Sequence, residues 1–156
     1  MCVIILYIAT ITYVQPDFLT KKILFHQFKL KYLNSGLTDS FSMELKDQLI
    51  TLFENDKFYR ESNLSLNDVA EKLGTTRHNI SQVINEHFGM SFFNFINKHR
   101  IDEAIRILNN DMHRTYNIID VAYDVGYNNK VTFNKAFKNF IRMTPTDYIK
   151  KKSKSY

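Results

Sequence analysis

Two stretches of this chain carry one pattern at a displacement of 52 residues, and few folds are built from such a duplication. Asp68-Val69-Ala70 recurs as Asp120-Val121-Ala122, and Leu73-Gly74 recurs as Val125-Gly126. After one extra residue in the second turn the displacement becomes 53. Ile80 then pairs with Phe133, Ile84 with Phe137, Met90 with Met143, and Phe95-Ile96 with Tyr148-Ile149. The chemistry of the pattern is that of a helix–turn–helix. The alanine lets two helices approach closely, the glycine turns the chain with positive φ, and the later apolar pair anchors the second helix inward. One A-x-x-x-G is common among helical proteins; two copies with matching flanks point to two related units.

Helical signals continue outside the repeat. Leu45, Leu49, Leu52 and Phe53 form one apolar stripe from Ser42 onward. Ser65 with Asp68 predicts a capping box for a helix over 66–73, ended by Gly74. Thr76 caps a helix from Arg77 to about Phe88, stopped by Gly89. Ser91 caps a long amphipathic stretch through Asn109, with Phe92, Ile96, Ala104, Ile105 and Leu108 inward and Lys98 and Arg100 solvated or paired with Asp102 and Glu103. Asn117 with Asp120 starts a short helix stopped by Gly126, and Asn128 or Asn129 opens another to about Ile141. Thr144-Pro145-Thr146-Asp147 begins a last helix. The expected class is all-α with about seven helices.

Catalytic and metal chemistry find little support. Cys2 is the single cysteine, which excludes an internal disulfide framework and a zinc site of the CxxC type. No GxGxxG, Walker loop, HExxH or GxSxG is present, and no paired carboxylates or Cys/His dyad stand at a workable spacing. His87 and His99 lack a second ligand at helical spacing. The expectation is therefore no enzyme, no cofactor and no metal.

Charge points elsewhere. The formal net charge is +5. Residues 1–61 carry seven basic and seven acidic side chains, and residues 62–129 six and eight. Residues 130–156 carry eight basic side chains against Asp147 alone. Such concentration fits the electrostatic footprint of a polyanion-binding surface and equally a solvated face with a basic tail, so charge leans toward nucleic acid without deciding.

The first forty residues read differently. Met1 to Val14 is uncharged; as a helix it would span about 21 Å, short of the roughly 30 Å hydrocarbon core. Two readings stand: the end of a transmembrane helix that starts upstream, with Lys21, Lys22, Lys29 and Lys31 on its cytoplasmic side, or an apolar segment docked on a core. Asn34-Ser35-Gly36 reads as a turn that Thr38-Asp39-Ser40 extends into a linker. This divides the chain into 1–40, a helical domain over 41–152 and a tail over 153–156. Within the domain the first helix–turn–helix covers about 65–89, a linker helix about 91–110 and the second unit about 117–141.

From about Met43 to Lys151 the chain resembles the AraC/XylS family of bacterial transcription regulators. The resemblance is carried by Ile119-Asp120-Val121-Ala122-Tyr123-Asp124-Val125-Gly126-Tyr127-Asn128, by Phe133-Asn134-Lys135-Ala136-Phe137-Lys138 and by Thr144-Pro145-Thr146-Asp147-Tyr148. The chain departs from the family pattern with Tyr127 for Phe, Lys135 for Arg and Arg142 for Gly. The resemblance implies a DNA-binding domain of two homeodomain-like helix–turn–helix units joined by a long helix, each placing a recognition helix in adjacent major grooves. It also implies RNA polymerase as a partner, a cytoplasmic site of action, and a sensing or membrane-embedded region ahead of the domain.

On the implied recognition helices, one outward face carries His78, Asn79, Ser81, Gln82 and Asn85, and the other Asn129, Lys130, Val131, Thr132, Asn134 and Lys135. Gln and Asn suit adenine, lysine suits guanine or phosphate, and the Val131 and Thr132 methyls suit thymine. Thr76, Arg77, Lys138 and Arg142 are the expected phosphate contacts. Arg142 stands opposite Gly89 in the internal alignment, where a helix commonly ends in the left-handed conformation. Either arginine accepts that strain, or the helix ends without positive φ. The rival to a sequence-specific regulator is a helical protein-interaction module that binds polyanions without regard to sequence.

Overall fold

In a computed structural model of the chain, which describes residues 37–110 and 117–153, seven α-helices and one 3-10 turn are joined by short connections. The apolar segment at 1–14, the turn at 34–36 and the final residues 154–156 lie outside the described residues. Helix α1 spans Asp39–Glu54, α2 Leu66–Lys72, α3 Arg77–Phe88, α4 Phe92–Asn110, α5 Ile118–Asp124, α6 Lys130–Ile141 and α7 Pro145–Ser153. Among the described residues there is no strand.

Most helix starts are where the side-chain caps place them. Ser65 and Asp68 form a reciprocal capping box on α2, the Ser65 N–H donating to Asp68 Oδ2 at 2.7 Å. That bond draws the Asp68 carboxyl below the usual carboxylate range. Thr76, Asn129 and Thr144 accept from the amides of Asn79, Thr132 and Asp147. One boundary differs from expectation. Thr38 Oγ1 accepts from the Phe41 amide at 3.3 Å, so Thr38-Asp39-Ser40 is the cap and first turn of α1, not a linker. The apolar stripe hides this, because the first turn carries no buried side chain before Ser42.

Two cores lie along the chain. The first collects Leu45, Leu49, Phe53, Val69, Ile80, Val83 and Ile84, and the second Val121, Val125, Phe133 and Phe137. Helix α4 belongs to both. Phe92, Phe95 and Ile96 pack into the first core, and Ile101, Ala104 and Leu108 into the second. At 19 residues it is about 28 Å long and makes a stiff spine for both halves. Ile105, expected inward, is only half-buried, because α4 turns its inner stripe between the two cores.

Aromatic rings fill the first core around Phe53, whose ring centroid lies 4.8 Å from Phe95 and 5.2 Å from His99. Each fully buried phenylalanine contributes about 1.5–3 kcal/mol by leaving water. His99 stacks on Tyr59 as a packing residue, and burial holds its imidazole below the ordinary value. The described residues contain no cluster of three metal-ligating side chains.

Candidate nucleic-acid interface

The two helix–turn–helix units are α2–α3 and α5–α6. In each, a short helix ends in a glycine with positive φ, Gly74 at +61° and Gly126 at +98°, and the chain reverses into a capped helix of 12 residues. Val69 and Ala70, and Val121 and Ala122, seat the first helix of each pair. Ile80 and Ile84, and Phe133 and Phe137, turn the inner face of the second helix into the core. The opposite face is left to polar side chains.

On α3, Arg77 and His78 are exposed, and Asn79, Ser81 and Asn85 are half-buried. Asn79 donates through Nδ2 to Thr75 Oγ1 at 3.0 Å, and Asn85 to the Ser81 carbonyl at 2.7 Å. Gln82 departs from the expected outward pose. It is 5% exposed, donates through Nε2 to Glu86 Oε1 at 3.0 Å, and its Oε1 is buried without a partner. Its position in the helix puts it at the edge of the polar face, where neighbouring structure covers it. A base reaches Gln82 only after that side chain swings away from Glu86.

Helix α6 is more open. Lys130, Val131, Thr132, Lys135 and Lys138 are all exposed, and Asn129 accepts from the Thr132 amide at 2.8 Å. Val131 is 78% exposed, an apolar side chain held in water on the first turn. Asn134 is half-buried, with Oδ1 shielded and unpartnered. The three lysines of α6 give its outer face a positive charge that α3, with Arg77 and Glu86, does not match.

Arg142 ends α6 at φ 65° and ψ 13°, as Gly89 ends α3 at φ 67° and ψ 25°. The strained cap is therefore present, and its amide donates to the Lys138 carbonyl at 2.9 Å. Left-handed backbone costs a residue with Cβ about 1–2 kcal/mol. Arg142→Gly is expected to raise the melting temperature of the domain by several degrees while weakening DNA binding at low salt. A thermal melt beside a binding titration checks it; a lower melting temperature would refute the strain.

Between the units lies a polar junction that the sequence reading did not foresee. Lys98 pairs with Asp102 at 2.6 Å as expected. Arg100 does not: it is 7% exposed, and donates through Nε to the Tyr59 carbonyl and through Nη2 to the Glu61 carbonyl, each at 2.7 Å. Its guanidinium lies 5.2 Å from the centre of the Tyr127 ring, whose hydroxyl donates to Asn97 Oδ1 at 2.8 Å. Burial raises the Tyr127 hydroxyl pKa and lowers that of Arg100. Asn128 in the second unit donates to Asn63 Oδ1, in the connection just ahead of the first, at 2.7 Å. Glu103, also 7% exposed, receives Lys57, Arg60 and Arg106 at 2.9, 2.6 and 2.7 Å. The Arg106 hydrogen bonds, chief among these contacts, hold its carboxyl far below the ordinary carboxylate range.

A helix-turn-helix domain model matches residues 69–151 of the chain, more than half of it. An HTH-type transcriptional regulator of Haemophilus influenzae is 28% identical over 90 residues, which are 58% of this chain and 29% of that protein. A second from Staphylococcus aureus is 30% identical over 89 residues, 55% of this chain and 11% of the relative. The chain thus spans less than a third of these relatives. Among solved structures, the C-terminal domain of AraT, a response regulator from Geobacillus stearothermophilus, matches with a TM-score of 0.59 at 27% identity, over 74% of this chain and 88% of that one. A DNA-binding transcriptional dual regulator from Escherichia coli shares the fold, with a TM-score of 0.58 at 20% identity over 70% of this chain and 93% of its own.

Proposed function

The chain belongs to the AraC-type helix-turn-helix family of DNA-binding transcription regulators, and from that premise we propose that its described domain reads a specific double-stranded site with two recognition helices, α3 and α6. One observation carries the reading: two similar units, each with a capped 12-residue helix and a polar outer face, share the single helix α4. A helix in the major groove offers bases the side chains of its first turns. In α3 these are His78, Asn79 and Ser81, with Asn85 further along the same face, and in α6 Lys130, Val131, Thr132, Asn134 and Lys135. Val131 gains most plainly, since a thymine methyl covers an apolar side chain that otherwise stands in water. Arg77, Lys138, Arg142 and the amides at the starts of α3 and α6 hold phosphates and set the register.

The remaining parts of the reading rest on the family resemblance: RNA polymerase as a partner, work in the cytoplasm, and a membrane tether through 1–14 or an upstream region. No helix among the described residues is long and apolar enough to cross a membrane. The rival module predicts binding that is weak and indifferent to sequence.

Paired substitutions test the assignment of roles. Lys138→Ala is expected to weaken binding to every DNA alike and to flatten the log–log salt dependence by about one unit. Thr132→Ala is expected to cost roughly 1–3 kcal/mol on the preferred site and little on random DNA. Equal losses on both DNAs for Thr132→Ala would remove it from the base readers, and a salt slope unchanged in Lys138→Ala would remove the phosphate contact.

A further inference from the structure

The junction between the units contains a buried charge, Arg100. Arg100 sits in the middle of α4, where that helix passes from the first core to the second. Among the described residues no carboxylate pairs with it; its partners are two backbone carbonyls and the face of an aromatic ring. A buried cation without a counter-ion is costly, and here two charge-assisted hydrogen bonds to backbone carbonyls offset part of that cost. What the guanidinium supplies is geometry. Its rigid fork takes the Tyr59 and Glu61 carbonyls at fixed angles, while its flat face lies against Tyr127. Tyr59 lies within the 3-10 turn and Glu61 caps its end, in the connection that leads into α2 of the first unit, and Tyr127 follows the turn glycine of the second. The Tyr127 hydroxyl returns to Asn97 on α4, one helical turn before Arg100.

We propose that Arg100 is a positioning residue that locks the two helix–turn–helix units at one relative orientation, and so sets the one spacing of two DNA blocks that the protein accepts. The inference rests on the two-helix reading above for its consequence on DNA, but not for its structural part. Two reading helices at a fixed angle tolerate a single spacing, because each inserted base pair moves the second block along and around the duplex. Helices free to pivot accept several spacings at nearly equal affinity. Arg100 touches no base in this scheme; it acts through the orientation of α3 and α6.

The test uses the full chain with Cys2→Ser and spin labels at Asn67→Cys on α2 and Asn139→Cys on α6, both exposed positions. Distance distributions are recorded without DNA for Arg100, Arg100→Met and Arg100→Lys. The expected result is one narrow distance with arginine and a broad or multiple distribution in both variants, each still showing a cooperative melt. Lysine keeps the charge and the stem but lacks the rigid planar fork and the flat face that lies on Tyr127, so it decides the matter if methionine prevents folding. Distributions unchanged in the folded variants would overturn the proposal. Binding is then measured on duplexes with the selected blocks moved apart or together by one and two base pairs. Wild type should lose about tenfold or more per displaced base pair and the variants much less, at similar affinity for a single block. A spacing preference equally sharp in the variants would also overturn it. If wild type shows no two-block site at all, the two-helix reading fails, while the distance measurement still decides whether Arg100 sets the orientation.

Discussion

Gly126→Ala is expected to destabilise the domain by about 2–5 kcal/mol, measured as the shift in urea midpoint at unchanged slope. Two costs add. The residue sits at φ +98°, where a side chain with Cβ is strained. A Cβ built there also lies 2.6 Å from the Arg60 carbonyl oxygen and 2.9 Å from the Tyr59 carbonyl oxygen. These are backbone atoms of the 3-10 turn that leads into the other unit, and they cannot step aside as a flexible side chain would. Gly74, the equivalent turn glycine of the first unit, separates the two costs. It has φ +61° and nothing within 4 Å of a built Cβ, so Gly74→Ala carries the conformational cost alone, about 1–2 kcal/mol. Similar small losses at the two sites would mean that the units do not approach each other as closely as the structure has them.

Phe137→Ala is expected to cost about 3–5 kcal/mol, with the loss concentrated in the second half of the domain. The ring is fully buried and lies 5.7 Å, centre to centre, from both Phe133 and Tyr148, so truncation opens a cavity between α6 and α7. No residue of the first core contributes to that cluster. Amide exchange should therefore quicken over 118–149 and along the second half of α4, while α1 and α3 keep most of their protection. Binding to a two-block site should fall toward that of the first block alone. A uniform rise in exchange across both halves would show that the cores open as one.

The sequence is most informative where structure is local. Ser65, Thr76, Asn117 and Thr144 each cap a helix at the residue their spacing predicts, because a cap bond spans two or three residues and asks nothing of the rest of the chain. The duplicated Ala and Gly positions likewise disclose two packed pairs, and the alignment of Arg142 with Gly89 leaves two helix endings open, of which the structure has the left-handed one. The junction was hidden for the opposite reason. Arg100 meets Tyr59 and Glu61 across about forty residues, and a lone arginine on a long amphipathic helix looks no different from a solvated one. Because α4 serves two cores, its buried face cannot be read as one stripe. Gln82 was misplaced by a related limit: helical periodicity assigns a face, but a side chain at the rim is covered or bare according to what packs beside it. The 3-10 turn at Phe58–Arg60, entered through Lys57 at φ 52°, carries no glycine to announce it.

Selection of bound duplexes from a random DNA pool tests the central claim most directly. Two helices fixed on one spine predict a motif of two short blocks, separated centre to centre by about one helical turn of roughly 10 bp and lying on one face of the duplex. Substitutions at Thr132 should relax one block and substitutions at His78 the other. A motif with a single block, or no enriched motif at any salt concentration, would contradict the account.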